Sequence, residues 1–373
     1  MEYPSLATGR ERATPSGEPY RGLLMRVRIG RLGPDARSRA PCPVRRLRRW
    51  RAPRERVNAI ASPRLPGILG GVADLANEFS WSRTRDNVFQ ECRRRYYYHY
   101  YGAWGGWDAA ADPAARALYV LKQLGTRQMW AGRLVHEAAE RSLLALRDGH
   151  ALSEASLIDD TVRQMREEWK GSRDHVYRGS PKRTGLFEHE HAVPVKDGEW
   201  QALRDHVIRC LRNFHRLPLL AEIKRTPTDR WILIEDDFGY WNQADRLQLV
   251  DWKTGGNGED ASLQLGGYAL YALEVLGVDP PRVDLLEVNL REGRVTSHPW
   301  DEISLERVRE HVRLSVRAMK AYLKDPEKNL AEEANFEKTE DLRICRWCNF
   351  RGVCRPELPP FSENALPAGE RAG

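Results

Sequence analysis

No run of 18 apolar residues occurs in the 373-residue chain, so no membrane-spanning helix is expected. Leu23-Leu24-Met25, with Arg26 close behind, is too short for the apolar core of a signal peptide. No phosphate-binding Walker motif is present. Lysine is absent from residues 1–70, which hold 16 Arg and 5 acids, a net +11. Set against +7 for the whole chain, this leaves −4 for the remainder, so any nucleic-acid groove there has to be a local patch. Cysteine is scarce. Four of the six fall into a ligand-like spacing, which argues against a secreted disulfide framework. A cytoplasmic protein that makes no use of a membrane is expected.

Residues 1–70 are rich in Arg, Pro and Gly without sustained periodicity and read as a disordered tail. An Arg-only tail can contact phosphate backbones, and an Arg-rich, acid-poor start is also the composition of an organellar transit segment. The plainer reading, a poorly structured extension from an upstream start codon, is preferred. Order is expected from about Phe79 to residue 356, with a flexible tail over 357–373.

The rest of the chain is organised around Trp231 to Gly255. Trp231 to Trp241 and Leu247 to Lys253 read as two strands joined by the turn-forming Asn242-Gln-Ala-Asp245. Residues two apart in a strand share a face, so Asp251 and Lys253 project together with Trp252 behind them. A carboxylate beside an ammonium, followed by Thr254-Gly255-Gly256, suits metal-assisted hydrolysis. A turn centred on Ala244 puts Asp237 opposite Asp251, with facing Cβ atoms about 5 Å apart. Asp236 then points to the other face, and Asp245 belongs to the turn, roughly 20 Å along an extended strand. Asp237 ranks first, Asp236 second and Asp245 third. A D-x-K triplet also arises by chance, and Glu222-Ile-Lys224 is a rival.

Around this hairpin, Ser80-Trp-Ser82 caps a helix running to the aromatic run Tyr96–Tyr101. Arginines interleave these aromatics, which suits base stacking, but most of the tyrosines are assigned to the core. Asp112-Pro113 opens a helical pair broken near Gly125, and the second helix carries His136. A lone helical His is ordinarily a hydrogen-bonded or exposed residue. Helices follow over about 153–170 and 200–216. Leu219 to Thr226 reads as a short strand or helix end bearing Glu222. Gln264 and Tyr268 share one face of a helix over 261–276, whose Gly266 and Gly267 imply close backbone packing. Strands over 282–290 and 295–298 and a helix over 305–323 complete the pattern.

Cys345, Cys348 and Cys354 form C-x2-C-x5-C, and three thiolates need a fourth ligand to close a tetrahedral zinc or a cuboidal iron-sulfur site. Cys92 is the natural candidate, and such a site ties the two ends of the domain together. Spacing alone leaves zinc open. Cys42 lies in the tail, and Cys210 reads as a buried free thiol in a helix.

In combination and in order, these motifs resemble the RecB-like branch of the PD-(D/E)XK nuclease superfamily, including its iron-sulfur nucleases typified by AddB and the CRISPR-associated RecB-like exonucleases. The motifs are the helical His136, Glu222, Asp237, Asp251-Trp-Lys253-Thr-Gly255, Gln264-x3-Tyr268 and the late cysteine triplet. The resemblance spans about residues 79–356. It departs at the first aspartate, where Glu235-Asp236-Asp237 replaces the usual Pro-Asp or Gly-x-x-Asp and leaves the register open by one residue.

It implies an α/β, restriction-endonuclease-like core, a central mixed sheet flanked by helices, with an iron-sulfur clamp joining both ends. It further implies a DNA phosphodiesterase acting on ends or single strands in repair, recombination or defence. Asp237, Asp251, the Trp252 carbonyl and His136 would hold Mg2+ or Mn2+. Lys253 would orient water, Glu222 would support the site, and Gln264 and Tyr268 would contact DNA or steady Lys253. A 4Fe-4S cluster on Cys92, Cys345, Cys348 and Cys354 is implied over zinc, and a helicase or other repair or defence subunit as partner. Two rivals remain: a non-cleaving nucleic-acid-binding protein that keeps fold and cluster, and a structural metal protein in which Asp-x-Lys is incidental.

Overall fold

The computed structural model describes residues 76–234, 238–255, 262–274 and 276–362. The tail over 1–70, Cys42, Asp236 and Asp237 lie outside them. Ser82 caps α1 (Arg83–Glu91) by accepting from the Arg85 amide. The helix expected to run on to Tyr101 breaks at Cys92, which is extended, with φ −161°. The break has a local cause: the Cys92 sulfur accepts from the Arg95 amide and so caps α2 (Arg93–Tyr97). A π-helical turn, Tyr98–Gly102, follows. Tyr96 and Tyr98 are buried, in keeping with a core role.

Asp112 caps α3 (Pro113–Lys122), and Thr126 caps α4 (Arg127–Arg147). Then come α5 (Glu154–Arg173), the short α6 (Val176–Gly179) and α7 (Phe187–Glu190), and α8 (Asp197–Arg216). The Glu222 segment is a helix, α9 (Pro218–Arg225), with proline in its first turn and Leu219, Leu220 and Ile223 buried.

The stretch Trp231–Trp241, expected as one strand, is two antiparallel strands, β1 (Trp231–Ile234) and β2 (Phe238–Trp241). The alternation on either side of the acidic break reads the same whether the chain continues or folds back. Next is β3 (Leu247–Lys253), then α10 (Ser262–Glu274), β4 (Val283–Asn289), β5 (Arg294–His298) and α11 (Glu302–Lys320). The sheet order is β1-β2-β3-β4-β5. Only β3 and β4 are parallel, joined by α10 as the crossover that parallel strands require. Phe238 pairs with Val250 and Trp241 with Leu247, the register of a turn centred on Ala244.

Helices cover both faces. Val250, Trp252, Leu286 and Val288 pack with α4, α5, α8 and α9. Leu247, Leu249, Val283 and Leu285 pack with α1, α10 and α11. A Cβ on Gly266 would lie 2.5 Å from Val308 Cγ2, which is the close approach the paired glycines imply. Late in the described residues, α12 (Leu342–Arg346) and α13 (Arg351–Cys354) lie near the π-helical turn: the Phe350 ring between them meets Tyr98 at 5.4 Å, and upstream of α12 the Glu337 carbonyl accepts from the Arg94 amide at 3.0 Å.

The fully buried Asp86 on α1 ties that helix to α11. It accepts from Ser315 Oγ at 2.8 Å and pairs with His311 Nε2 at 2.7 Å. Burial opposes its ionisation, but hydrogen bonds from His311, Ser315 and Gln90 outweigh that and hold its pKa below the ordinary 3.8. The stability this provides is therefore complete above 3.8 and lost as pH falls through the lower, folded value. Asp86→Ala is expected to cost about 3 kcal/mol in urea unfolding at neutral pH, because it leaves the buried Ser315 hydroxyl and the half-buried His311 ring without their acceptor.

Candidate active site

Alternation along β3 turns Asp251 and Lys253 toward the α10 face and Trp252 toward α8, where its ring meets Phe214 edge to face at 5.4 Å. Asp251 is 6% exposed. Its Oδ2 lies 3.0 Å from Lys253 Nζ but accepts no aligned hydrogen bond among the described residues. Lys253 Nζ donates to Gln264 Oε1 at 2.7 Å, and Gln264 Nε2 donates to Tyr268 Oη at 2.9 Å. One turn of α10 thus fixes the ammonium beside the carboxylate.

The end of β3 is held from three sides. The Leu290 amide donates to the Lys253 carbonyl at 2.7 Å, and Asn289 Nδ2 lies 3.4 Å from the Gly255 carbonyl. On α4, a Cβ on Gly132 would stand 3.0 Å from Thr254 Oγ1. His136 sits one turn further along α4, on the face that Gly132 presents, and is half-buried.

Glu287 and His298 were not anticipated. The parallel register sets Glu287 directly beside Asp251, and His298 Nε2 lies 3.6 Å from the Glu287 carboxylate. The strand bearing Glu287 is legible in the sequence, but its neighbour depends on strand polarity, which the sequence does not give. Burial pushes the Asp251 carboxyl up. Lys253 opposes the shift, and Glu287 adds to it. A buried carboxylate with an unsatisfied oxygen suits a cation, which would offset both the burial and the like charge.

Glu222 interacts with Tyr240, which packs with the α4 and α8 core on the face of the sheet opposite the Asp251 side chain. Asp245 lies in the turn at φ +53° and pairs with Arg230.

Cys92, Cys345, Cys348 and Cys354 line one pocket with Arg95, Lys338, Arg351 and Arg355. Among the described residues no three His, Cys, Asp or Glu close on a single metal ion. Burial pushes the Cys348 thiol up to about 11 despite nearby Arg95, with Cys92 and Cys354 adding to the shift. Cys210 is buried in α8 as a free thiol, 3.7 Å from His206.

No helix among the described residues is long and apolar enough to cross a membrane. No curated protein matches the chain. The family profile described as the PD-(D/E)XK nuclease superfamily matches residues 80–355, which include the Asp251-Lys253 strand, the Gln264 helix and all four pocket cysteines, and on this ground the chain belongs to that superfamily.

Proposed function

We propose that the protein is a Mg2+- or Mn2+-dependent deoxyribonuclease that hydrolyses phosphodiester bonds at DNA ends or in single strands, in repair, recombination or defence. The observation that carries this reading is the buried Asp251 with an unsatisfied oxygen beside a tethered Lys253. The chemistry a divalent cation supplies at such a site is polarisation of the phosphate and activation of water. Asp251, Asp237, the Trp252 carbonyl and His136 are the proposed ligands. Asp237 is chosen because the observed pairing follows the arithmetic that set 237 against 251 in the sequence.

Lys253 offers a fixed positive charge where negative charge develops on the phosphate, and Gln264 and Tyr268 keep it there without reorganisation. Gln264→Ala is therefore expected to lower kcat by about tenfold, with a smaller change in KM, in steady-state cleavage. Glu222, set against Tyr240, would support the site.

A 4Fe-4S cluster is proposed on Cys92, Cys345, Cys348 and Cys354. A zinc ion needs four sulfurs about 2.3 Å from one point, whereas a cluster distributes its ligands over several irons. The pocket lined by the four cysteines supports a shared metal group, as do the four cations that would offset thiolate charge. A helicase or another repair or defence subunit is the proposed partner.

The test is degradation of end-labelled single- and double-stranded DNA by anaerobically purified protein with Mg2+, Mn2+ or chelator. Cleavage with cation and none with chelator is expected. Binding without cleavage under every condition would move the non-cleaving reading ahead.

A further inference from the structure

Between the π-helical turn and α3 the chain makes an excursion that neither the sheet nor the cysteine pocket requires. It is pressed hard against α3. A Cβ on Gly106 would lie 2.4 Å from the Ala115 carbonyl oxygen, one on Gly102 would lie 2.9 Å from Leu118 Cδ1, and Gly105 between them has φ +79°. Arg116 Nη1 donates to the Gly106 carbonyl at 3.1 Å. Asp108 accepts from the Ala110 amide, and Asp112 from the amides of Ala114 and Ala115, so both acids are engaged as turn and helix caps. The loop is fastened along its length.

What it holds outward is an indole. Trp107 is 39% exposed, with Trp104 edge to face at 4.8 Å and Tyr119 at 6.1 Å. Leaving so large a ring in water forgoes burial that would stabilise the fold, and a rigid loop that keeps it there points to a ligand with flat faces.

Cations lead from this ring toward the active strand. Lys122 Nζ stands 5.3 Å from the Tyr119 ring centre. Just beyond α3, the Gly125 amide donates to the Gly185 carbonyl, which brings alongside a segment with exposed Lys182 and Arg183. Neither is ion-paired among the described residues. Thr184 in that segment accepts from Arg133 at 3.0 Å, and Arg133 adjoins Gly132, which packs on Thr254 next to Lys253.

We infer that the Trp104–Trp107 pair is a base-stacking platform for single-stranded DNA, with Lys122, Lys182 and Arg183 holding its phosphates along the way to Lys253. The inference rests on the nuclease reading for its ligand. Unpaired bases offer their faces to an exposed indole, whereas bases in a duplex are already stacked on each other. Basic side chains and aromatic rings in alternation are what a sequence-tolerant single-strand path needs.

The test is fluorescence anisotropy in chelator, with labelled oligothymidylate alone or annealed to oligoadenylate. Trp107→Ala is expected to weaken single-strand binding by about tenfold or more, Trp107→Phe to restore most of it, and duplex affinity to stay unchanged. Circular dichroism should show both variants folded, because the ring is on the surface. Wild-type affinity of Trp107→Ala for the single strand would overturn the platform and assign the indoles to a protein contact. The two readings fail separately. Cleavage by wild type without any effect of Trp107→Ala on binding sinks only the platform. A Trp107→Ala binding defect in a protein that never cleaves sinks only the nuclease.

Discussion

Asp251→Ala is expected to reduce DNA cleavage by at least about 10³-fold while leaving the protein folded. The carboxylate is the buried anion of the site: Lys253 Nζ lies 3.0 Å from its Oδ2, which accepts no aligned hydrogen bond among the described residues, and Glu287 lies beside it in register. Its folded pKa is raised above 3.8, burial being the main cause. For a raised acid, the cation-free protein is favoured at pH below 3.8, and the advantage is lost as pH rises through the folded value. Asp251→Asn should therefore be at least as stable as wild type in chelator at neutral pH, although inactive.

The same linkage should make cation affinity rise with pH, since the ionised carboxylate would be the ligand. Lys253→Ala is expected to lose about 10²- to 10³-fold in kcat and, unlike Asp251→Asn, to lose stability, because it strips the counter-charge from a buried anion. Urea unfolding in chelator beside single-turnover cleavage separates the two effects. Equal stability losses in both variants would contradict the ion-pair account.

Cys348→Ser is expected to lose iron and to lower the melting temperature by roughly 10–20 °C, on the order of 5 kcal/mol. The size follows from connectivity. Cys92 stands at the α1–α2 break and Cys345 lies more than 250 residues later, so a shared metal group closes nearly the whole domain into one loop. The thiols must give up protons to bind it, and burial holds Cys348 protonated up to about 11 in the metal-free form, so assembly should release protons and weaken in acid. Cys210→Ala is the control: its sulfur is buried in α8 and does not line the pocket, so iron should be retained. Elemental analysis with calorimetry reads both. Stoichiometric zinc would replace the cluster but keep the tether, and full thermal stability in Cys348→Ser would remove the tether itself.

Much of the site is legible in the sequence because it is local. The two-residue period puts Asp251 and Lys253 on one face, and a four-residue step puts Tyr268 beside Gln264. The hairpin arithmetic about Ala244 reappears in the observed pairing of Phe238 with Val250. What escaped depends on long-range pairing. Trp231–Trp241 reads as one strand because nothing local distinguishes a chain that continues from one that folds back on itself as β1 and β2. Glu287 becomes a neighbour of Asp251 only once β4 is known to run parallel to β3. Glu222 lies on a helix, one of the two readings open for its segment, as Pro218 and the buried Leu219, Leu220 and Ile223 signal, and its carboxylate is set against Tyr240. The exposure of Trp107 has no sequence signature, because it arises from glycines that hold the loop on α3.

The measurement that tests the site most directly is anomalous diffraction from crystals of wild type and Asp251→Ala grown with Mn2+. The expected result is a manganese peak against the Asp251 carboxylate on the α10 side of β3, absent from the variant. A peak that persists in Asp251→Ala, or manganese found only elsewhere on the molecule, would contradict the assignment of this strand as the metal-dependent centre.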